Sequence, residues 1–399
     1  MVKRSGLLGV LLSVSIALAG CDGAEIGSTP GSWDGTVDTL ASGRIVVRNP
    51  DRPLWGTGEG WVLEELFRLG TLDGEGPELF GQVSAVLLGR EGDLYVLDGQ
   101  ASEVRVFGPD GTFRRTLGRA GQGPGELNRP AGMALDSEGR LWIMNWGNAR
   151  YTAFDASTGE LHRETRRLAS FAALPWPGRF DELDRLVDIG LGRNGDPVVL
   201  RTDTAFVPVD TLSLPKAAEE DQIMFRRDGM MVMSAMEPFA PRPAWAPRPH
   251  DGIVMGMGAE YRLHRVGFDG DTTMTVELLR DPARVSEAER DSAMAAWEEM
   301  AERTRGATPD RQPRVRETKP AHGALFVDDR DRIWVQASRA EAGPAWDIFG
   351  EDGRFLGQVS VPLPPGFPTP SVRNDRLALV TELDGVPTVV VYRIVGLDS

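Results

Sequence analysis

Two short polar side chains lie at equivalent places in the sequence and have the chemistry of cation ligands. Asp98 ends the segment Gly92–Asp98 and Asn145 ends the segment Gly139–Asn145, at an offset of 47 residues. Carboxylate and amide oxygens can bind a divalent cation such as calcium, or contact a ligand at a channel mouth. The alternative, which we favour, is that each side chain accepts hydrogen bonds from the backbone of its own turn, as Asp and Asn commonly do.

The residue after Asn145 is a candidate for direct ligand contact. Trp146 lies in a predicted loop beside Asn145 and Arg150. An exposed aromatic ring at such a place can stack on a sugar or a peptide. We therefore take Trp146, Asn145, Arg150 and Asp98 as candidate ligand-binding residues.

The sequence offers no catalytic constellation. Its four histidines lack i,i+4 or other close ligand spacing, so they are weak support for a metal site: His162, His250, His264 and His322. We find no Gly-x-Ser-x-Gly elbow, and the glycine-rich segment 118–123 leads into a predicted strand rather than the helix N-terminus that binds phosphate. We predict no catalytic residue and no cofactor, and leave open a divalent cation such as calcium.

The N-terminus has the pattern of an export signal that ends in a modifiable thiol. Lys3 and Arg4 precede a short apolar run that is too short for a transmembrane helix, and Leu18-Ala19-Gly20-Cys21 resembles the bacterial lipobox. Cys21 is the only cysteine, which excludes an internal disulfide. We expect a signal peptide over 1–20, lipid attachment at Cys21 and a flexible tether over 21–42. The protein is then a lipoprotein of a bacterial cell envelope, on the inner or outer membrane and on its periplasmic or surface face.

The charge of the chain argues against nucleic acid as a partner. The formal net charge is −15, and it becomes −17 when Lys3 and Arg4 leave with the signal. Binding of phosphate backbones needs a basic footprint, which this composition does not provide. The partners that we expect are the membrane, through lipidated Cys21, and a protein, peptide or glycan.

A repeat of 47 residues organises the first half of the chain. Gly92–Asp98 aligns with Gly139–Asn145, and Phe107 aligns with Phe154 at the same offset, so that two whole hairpins match without a gap. A fainter copy contains Ile333-Trp334-Val335. Tyr95, Trp142 and Trp334 take the same strand position, which predicts packing between repeats. Four-stranded units of this kind bury both faces by packing around a ring.

The second repeat resembles an NHL repeat, and the chain resembles six-bladed β-propeller lipoproteins with such repeats. The matching residues are Gly121–Leu127, Pro130, Asp136, Gly139, Leu141, Trp142, Asn148, Arg150, Phe154, Asp155 and Gly159. The resemblance is strong over 74–166 and moderate over 250–280 and 319–361. It departs at Asn145, where the family usually has aspartate, and at Glu103, which takes the place of Arg150. The resemblance implies that Arg150 braces neighbouring strands.

The repeats and the resemblance together predict an all-β chain that forms a six-bladed β-propeller of the TolB-like or NHL-like type. We expect one domain over 43–397, closed by 43–69, with Arg44–Arg48 paired to the last blade. A capping box at Ser286–Glu289 predicts one inserted helix near 286–305, with Trp297 buried against the ring. The six units lie near 79–117, 128–166, 184–215, 222–280, 319–361 and 371–395.

These patterns favour a binding function. The leading hypothesis is an envelope-tethered propeller that binds a protein, peptide or glycan through loops on one face of the ring, without catalysis. The alternative is a periplasmic metal-dependent hydrolase or lyase of the lactonase-like propeller type. That alternative requires carboxylates and amides from several blades to converge in the channel. A third possibility is a structural member of an export or sugar-uptake assembly.

Overall fold

The computed structural model describes residues 33–56, 60–73, 76–169, 176–304, 306–338, 343–362 and 368–396. The expected signal peptide and Cys21 lie outside these residues. Among the described residues, no helix is both long enough and apolar enough to cross a membrane.

β-Strands are the main secondary structure of the described chain. Three strands precede the first blade: β1 Thr36–Thr39, β2 Ile45–Pro50 and β3 Val62–Leu69. Blade 1 contains β4 Val83–Leu88, β5 Leu94–Asp98, β6 Glu103–Phe107 and β7 Phe113–Leu117, and blade 2 contains β8 Pro130–Leu135, β9 Arg140–Asn145, β10 Arg150–Asp155 and β11 Leu161–Arg166. Blade 3 contains β12 Arg179–Phe180, β13 Leu186–Leu191, β14 Pro197–Thr202 and β15 Pro208–Ser213.

The second half of the chain forms the other three blades and one appendage. The appendage contains β16 Gln222–Arg227, β17 Met230–Met236, the helix α1 Glu287–Arg303 and β22 Thr308–Pro309. Blade 4 contains β18 Pro243–Pro247, β19 Ile253–Met257, β20 Arg262–Val266 and β21 Thr272–Leu279. Blade 5 contains β23 His322–Val327, β24 Ile333–Ala337, β25 Ala345–Phe349 and β26 Phe355–Ser360, and blade 6 contains β27 Ser371–Arg373, β28 Arg376–Leu383 and β29 Val386–Val395.

The blades pack side by side around one axis. Six buried apolar clusters lie between neighbouring blades, and each draws its side chains from two blades that follow one another around the ring. One of them joins blade 6 to blade 1. The predicted six-bladed β-propeller is therefore confirmed. Tyr95, Trp142 and Trp334 each lie in one of these clusters, as their shared strand position predicts.

The ring is closed by β3, not by the strand that the sequence suggested. β3 pairs antiparallel with β29 and supplies the fourth strand of blade 6. The predicted pairing of Arg44–Arg48 with the last blade is wrong, because β2 pairs parallel with β21 on the outer edge of blade 4. Asn49, which is fully buried, explains this position. It donates to the carbonyl oxygens of Glu277 and Gly353 and accepts from the backbone N–H of Phe355, so it fastens β2 to blades 4 and 5.

The predicted tether and fourth unit also need correction. β1 pairs with β2, so ordered structure begins at Thr36 or before, inside the tether predicted over 21–42. The unit predicted over 222–280 divides in two. Its first part, 222–236, forms a separate sheet with β22, and its second part, 243–279, is blade 4. Pro238 and Pro241 separate the two parts, because prolines interrupt the backbone hydrogen bonding of a sheet.

The predicted helix is present, and its capping box is formed by Ser286 and Glu289. Hydrogen bonds from Lys319 and then from Ser286 lower the pKa of Glu289 to about 2. Trp297 is buried as expected, but against Phe225 of the appendage sheet, with ring centroids 5.4 Å apart. The helix therefore completes the core of the appendage, which contains no blade residue among those described.

Candidate ligand-binding channel

The ring has two faces that differ in the connections they carry. Each blade is an antiparallel meander that begins with its innermost strand. These inner strands are β4, β8, β12, β18, β23 and β27. The inner strands run in one direction and end at one face, which we name the turn face. The opposite face, the loop face, carries the connections between second and third strands and the entrances to each blade.

A cavity of about 390 Å³ follows the axis of the ring. The inner strands of all six blades line it, and its wall combines polar side chains with apolar ones, the latter including Leu87, Met133, Phe180, Trp245 and Phe326. A cavity of this size suits a small molecule or a short stretch of a larger ligand.

Asp98 and Asn145 lie at the loop face and bond the backbone around them. Asp98 is buried and accepts hydrogen bonds from four N–H groups: Gly81 at 2.8 Å, Gln82 at 3.2 Å, Gln100 at 3.0 Å and Ala101 at 3.1 Å. Asn145 accepts from the N–H of Asn128 at 2.9 Å and donates to the carbonyl of Glu126 at 2.9 Å. Each side chain thus ties the entrance of its blade to the end of the second strand. Cation or ligand binding by them stays a prediction.

Arg150 braces the loop that leads into blade 2. Its guanidinium donates to the carbonyls of Gly123 at 2.5 Å and Glu126 at 3.1 Å, and it pairs with Glu164 at 3.1 Å. In blade 1 the same task falls to Arg105, which donates to the carbonyls of Pro77 and Leu79. The sequence comparison missed Arg105 because it lies two positions beyond the aligned Glu103, a shift that keeps a side chain on the same face of a strand.

Trp146 lies in the short 3-10 turn Trp146–Asn148 on the loop face and is half-buried. The guanidinium carbon of Arg167 lies 5.8 Å from its ring centroid. Arg167 in turn donates to Asp188, and Asp188 accepts from the indole N–H of Trp176, which lines the channel. A buried polar network therefore links Trp146 to the channel wall. Ligand contact by Trp146 itself stays a prediction.

The turn-face end of the channel gathers three arginines from three blades. Arg90 follows β4, Arg179 begins β12 and Arg373 ends β27, and all three line the cavity. Arg179 reaches across to blade 5, where it donates to the carbonyls of Val327 at 2.7 Å and Asp328 at 3.2 Å. We name these three residues the channel arginines.

The channel arginines act on one another electrostatically. Burial lowers the pKa of Arg179 to about 10, and the positive charge of Arg373 contributes to the shift. Burial also lowers the pKa of Arg373; the carboxylate of Asp329 opposes this, whereas the charge of Arg90 adds to it. Guanidinium groups stay protonated in proteins, so this end of the channel holds three positive charges, and they share the cavity lining with carboxylates such as Asp329 and Glu182.

The described residues contain no group of three or more His, Cys, Asp or Glu side chains placed to hold a metal ion. The histidines also lie in separate surroundings. His322 is buried, which lowers its pKa, and its Nδ1 lies 3.0 Å from the carbonyl oxygen of Gly323. His264 lies beside Thr275, and His250 beside Glu182 on the surface.

Comparison with known proteins supports the repeat assignment. A sequence-family profile described as a six-bladed β-propeller matches residues 71–175. NHL repeat-containing protein 3 from Mus musculus is 28% identical over 149 residues, which cover 32% of this chain and 43% of that protein. Its counterpart from Homo sapiens is 36% identical over 72 residues, which cover 17% of this chain and 21% of that protein. The chain thus spans less than half the length of these relatives.

A solved structure extends the comparison to the whole ring. The crystal structure of an exported protein from Bacteroides fragilis has a TM-score of 0.50 and 11% sequence identity, and covers 88% of this chain and 99% of that chain. The chain is an NHL-like six-bladed β-propeller. The likeness in structure establishes the fold of this propeller, and not its activity.

The propeller repeats an ion pair at the turn face that the sequence comparison missed. Asp136 pairs with Arg140, Asp181 with Arg185 and Asp328 with Arg332, always four residues apart. Asp136 and Asp328 also accept from the indole N–H of Trp142 and Trp334. The recurring Asp-x-x-x-Arg spacing is the signal that could have revealed it. These bonds stabilise the turns, and the charge of Asp328 also opposes the lowering of the Arg179 pKa.

Proposed function

We propose that this propeller is a non-catalytic binding protein of the cell envelope, whose protein, peptide or glycan ligand enters the axial channel. The observation that carries the proposal is the cavity of about 390 Å³ to which all six blades contribute. Loops from distant parts of the sequence meet there over a rigid ring, which is the usual construction of a propeller binding site.

The chemistry of the channel favours binding over catalysis. Its wall combines aromatic side chains such as Trp176 and Trp245 with the channel arginines. Aromatic and arginine side chains are the types that contribute most to binding energy at protein surfaces. The acidic side chains nearest the turns, Asp136 and Asp181, are bonded to arginines and to backbone N–H groups, so they do not form a free carboxylate pair.

The envelope location rests on the N-terminal sequence and agrees with the exported protein that shares this fold. Fourteen residues lie between Cys21 and the first strand at Thr36, and a chain of this length extends at most roughly 50 Å. A lipid on Cys21 would hold the ring near the membrane. Labelling with radioactive palmitate should mark the protein, and Cys21→Ser should abolish the label. Labelled Cys21→Ser protein would contradict the anchor.

A channel-narrowing substitution tests the binding function. Thr369 is exposed and lines the channel, so Thr369→Trp should obstruct the channel with little effect on folding. Thr204, exposed in a turn of blade 3, provides the matched control Thr204→Trp. Purified full-length protein should bind members of peptide or glycan arrays, and Thr369→Trp alone should weaken that binding at least tenfold. The proposal fails if nothing on either array binds, or if Thr369→Trp binds as well as Thr204→Trp.

A further inference from the structure

The channel arginines differ from Arg140, Arg185 and Arg332, each of which pairs with an aspartate of its own blade. No described residue forms a hydrogen bond or ion pair within 4.0 Å with the guanidinium of Arg90 or Arg373. The guanidinium of Arg179 bonds two backbone carbonyls and no carboxylate of the described chain. Positive charges confined in a low-dielectric cavity are stabilised by an anion, and guanidinium groups match a carboxylate in shape.

One acceptor at the same end of the channel is also unused. Asp329 lines the cavity beside Arg373, whose pKa its charge affects. Its Oδ2 accepts from the N–H of Asn374 at 3.2 Å, but its Oδ1 is buried without a hydrogen-bond partner in the described structure. Buried polar atoms normally have partners, so this oxygen marks a place for a donor.

After the arginines and Asp329, the apolar side chains of the cavity wall set a third requirement for a ligand. Leu87, Met133, Phe180 and Phe326 belong to four different blades and supply the apolar part of the cavity wall. A ligand that fits has a carboxylate for the arginines, an N–H for Asp329 and an apolar body. The C-terminal residue of a peptide combines all three, whereas an acidic sugar has hydroxyl groups in place of the apolar body.

We propose that the turn-face end of the channel binds the C-terminal carboxylate of a peptide with an apolar last residue. The channel arginines contact the carboxylate, and Asp329 accepts the hydrogen bond of the last peptide N–H. The inference rests on the proposed binding function and names the ligand class.

The test compares an acid with its amide. N-acetyl-alanyl-phenylalanine and its C-terminal amide are titrated by calorimetry into the purified full-length protein, with glucuronic acid as a non-peptide carboxylate. We expect the peptide acid to bind at least tenfold more tightly than the amide. Arg373→Gln should weaken binding of the acid about tenfold, because it removes one charge-assisted interaction. The affinity for the amide should not change.

Two further variants make the result decisive. Arg193→Gln changes the net charge equally, but Arg193 is an exposed residue of the turn between β13 and β14, so binding should be unchanged. A neutral substitution of Arg179 would break its bridge to blade 5, so the second variant is Arg179→Lys, which keeps the positive charge. It should weaken binding of the peptide acid, because lysine lacks the planar guanidinium that can bond both oxygens of a carboxylate.

Equal affinity for acid and amide, absence of binding by both, or an acid preference that survives Arg373→Gln would overturn the inference. So would tighter binding of glucuronic acid than of the peptide acid, which would indicate an acidic glycan. In each of these cases the array experiment decides separately whether the channel binds any ligand, so the two proposals can fail independently.

Discussion

Replacement of Asn49 by alanine tests how the N-terminal strand is fastened to the ring. Asn49 is fully buried and satisfies three backbone groups: the carbonyls of Glu277 and Gly353 at 3.1 and 3.0 Å, and the N–H of Phe355 at 2.8 Å. Each buried group that loses its partner costs about 1 kcal/mol, so Asn49→Ala should lower the free energy of unfolding by about 3 kcal/mol. With an unfolding entropy of about 2.1 cal/mol/K per residue over roughly 360 residues, the Tm should fall by about 4 °C.

Thermal and urea unfolding, followed by circular dichroism, measure this effect. Asn49→Asp preserves the volume and removes the two donated hydrogen bonds, so it separates hydrogen bonding from cavity formation, and it should destabilise at least as much. Asn194→Ala, at an exposed turn, is the control and should change the Tm by less than about 1 °C. An Asn49→Ala protein as stable as the control would refute the attachment of β2 between blades 4 and 5.

Three further results follow from the packing and charges of the ring. Trp334→Phe should lower the free energy of unfolding in urea by about 1.5 kcal/mol, because the indole N–H donates to the carboxylate of Asp328 at 2.9 Å. An unchanged unfolding midpoint would count against that bond. Gly353→Ala should lower the Tm more than Gly385→Ala, although both have φ of +79°, because only at Gly353 would a Cβ lie 2.9 Å from a blade 4 side chain. Glu289 has a lowered pKa, so its stabilisation is present above about 4.5 and is lost as the pH falls towards about 2. The Tm difference between wild type and Glu289→Gln should therefore disappear across that range, and a difference that persists at pH 2 would contradict the assignment.

The 47-residue repeat made the ring of blades predictable, whereas the parts of the chain outside the repeat could not be predicted in this way. Tyr95, Trp142 and Trp334 share a position in the 47-residue period, and this local pattern is sufficient to place them between blades. The pairing of β2 depends instead on Asn49 meeting Gly353 and Phe355, which lie about 300 residues away. No local pattern encodes such a contact, so the sequence alone led to the prediction that this apolar strand pairs with the last blade.

The candidate site shows the same division. Asp98, Asn145 and Arg150 were identified because their motif repeats, and the structure gives them hydrogen bonds within their own loops. Arg90 and Arg373 belong to no repeated motif and are separated by most of the chain. They converge only because the ring brings blade 6 beside blade 1. An alignment of the residues that follow each inner strand would have placed them at one face.

The position of the unpaired arginines follows from where the repeat breaks down. Blades 2, 3 and 5 each neutralise an arginine at the turn face with an aspartate four residues earlier, as in Asp136 and Arg140. Blade 1 has Gly89 where blade 2 has Asp136, and blade 6 has Asn374 after its inner strand. These two blades contribute Arg90 and Arg373 to the channel. Departures from a structural pattern tend to mark functional positions, because stability alone would retain the pattern. Asn374→Asp, which adds a carboxylate next to Arg373, should therefore weaken binding of an anionic ligand.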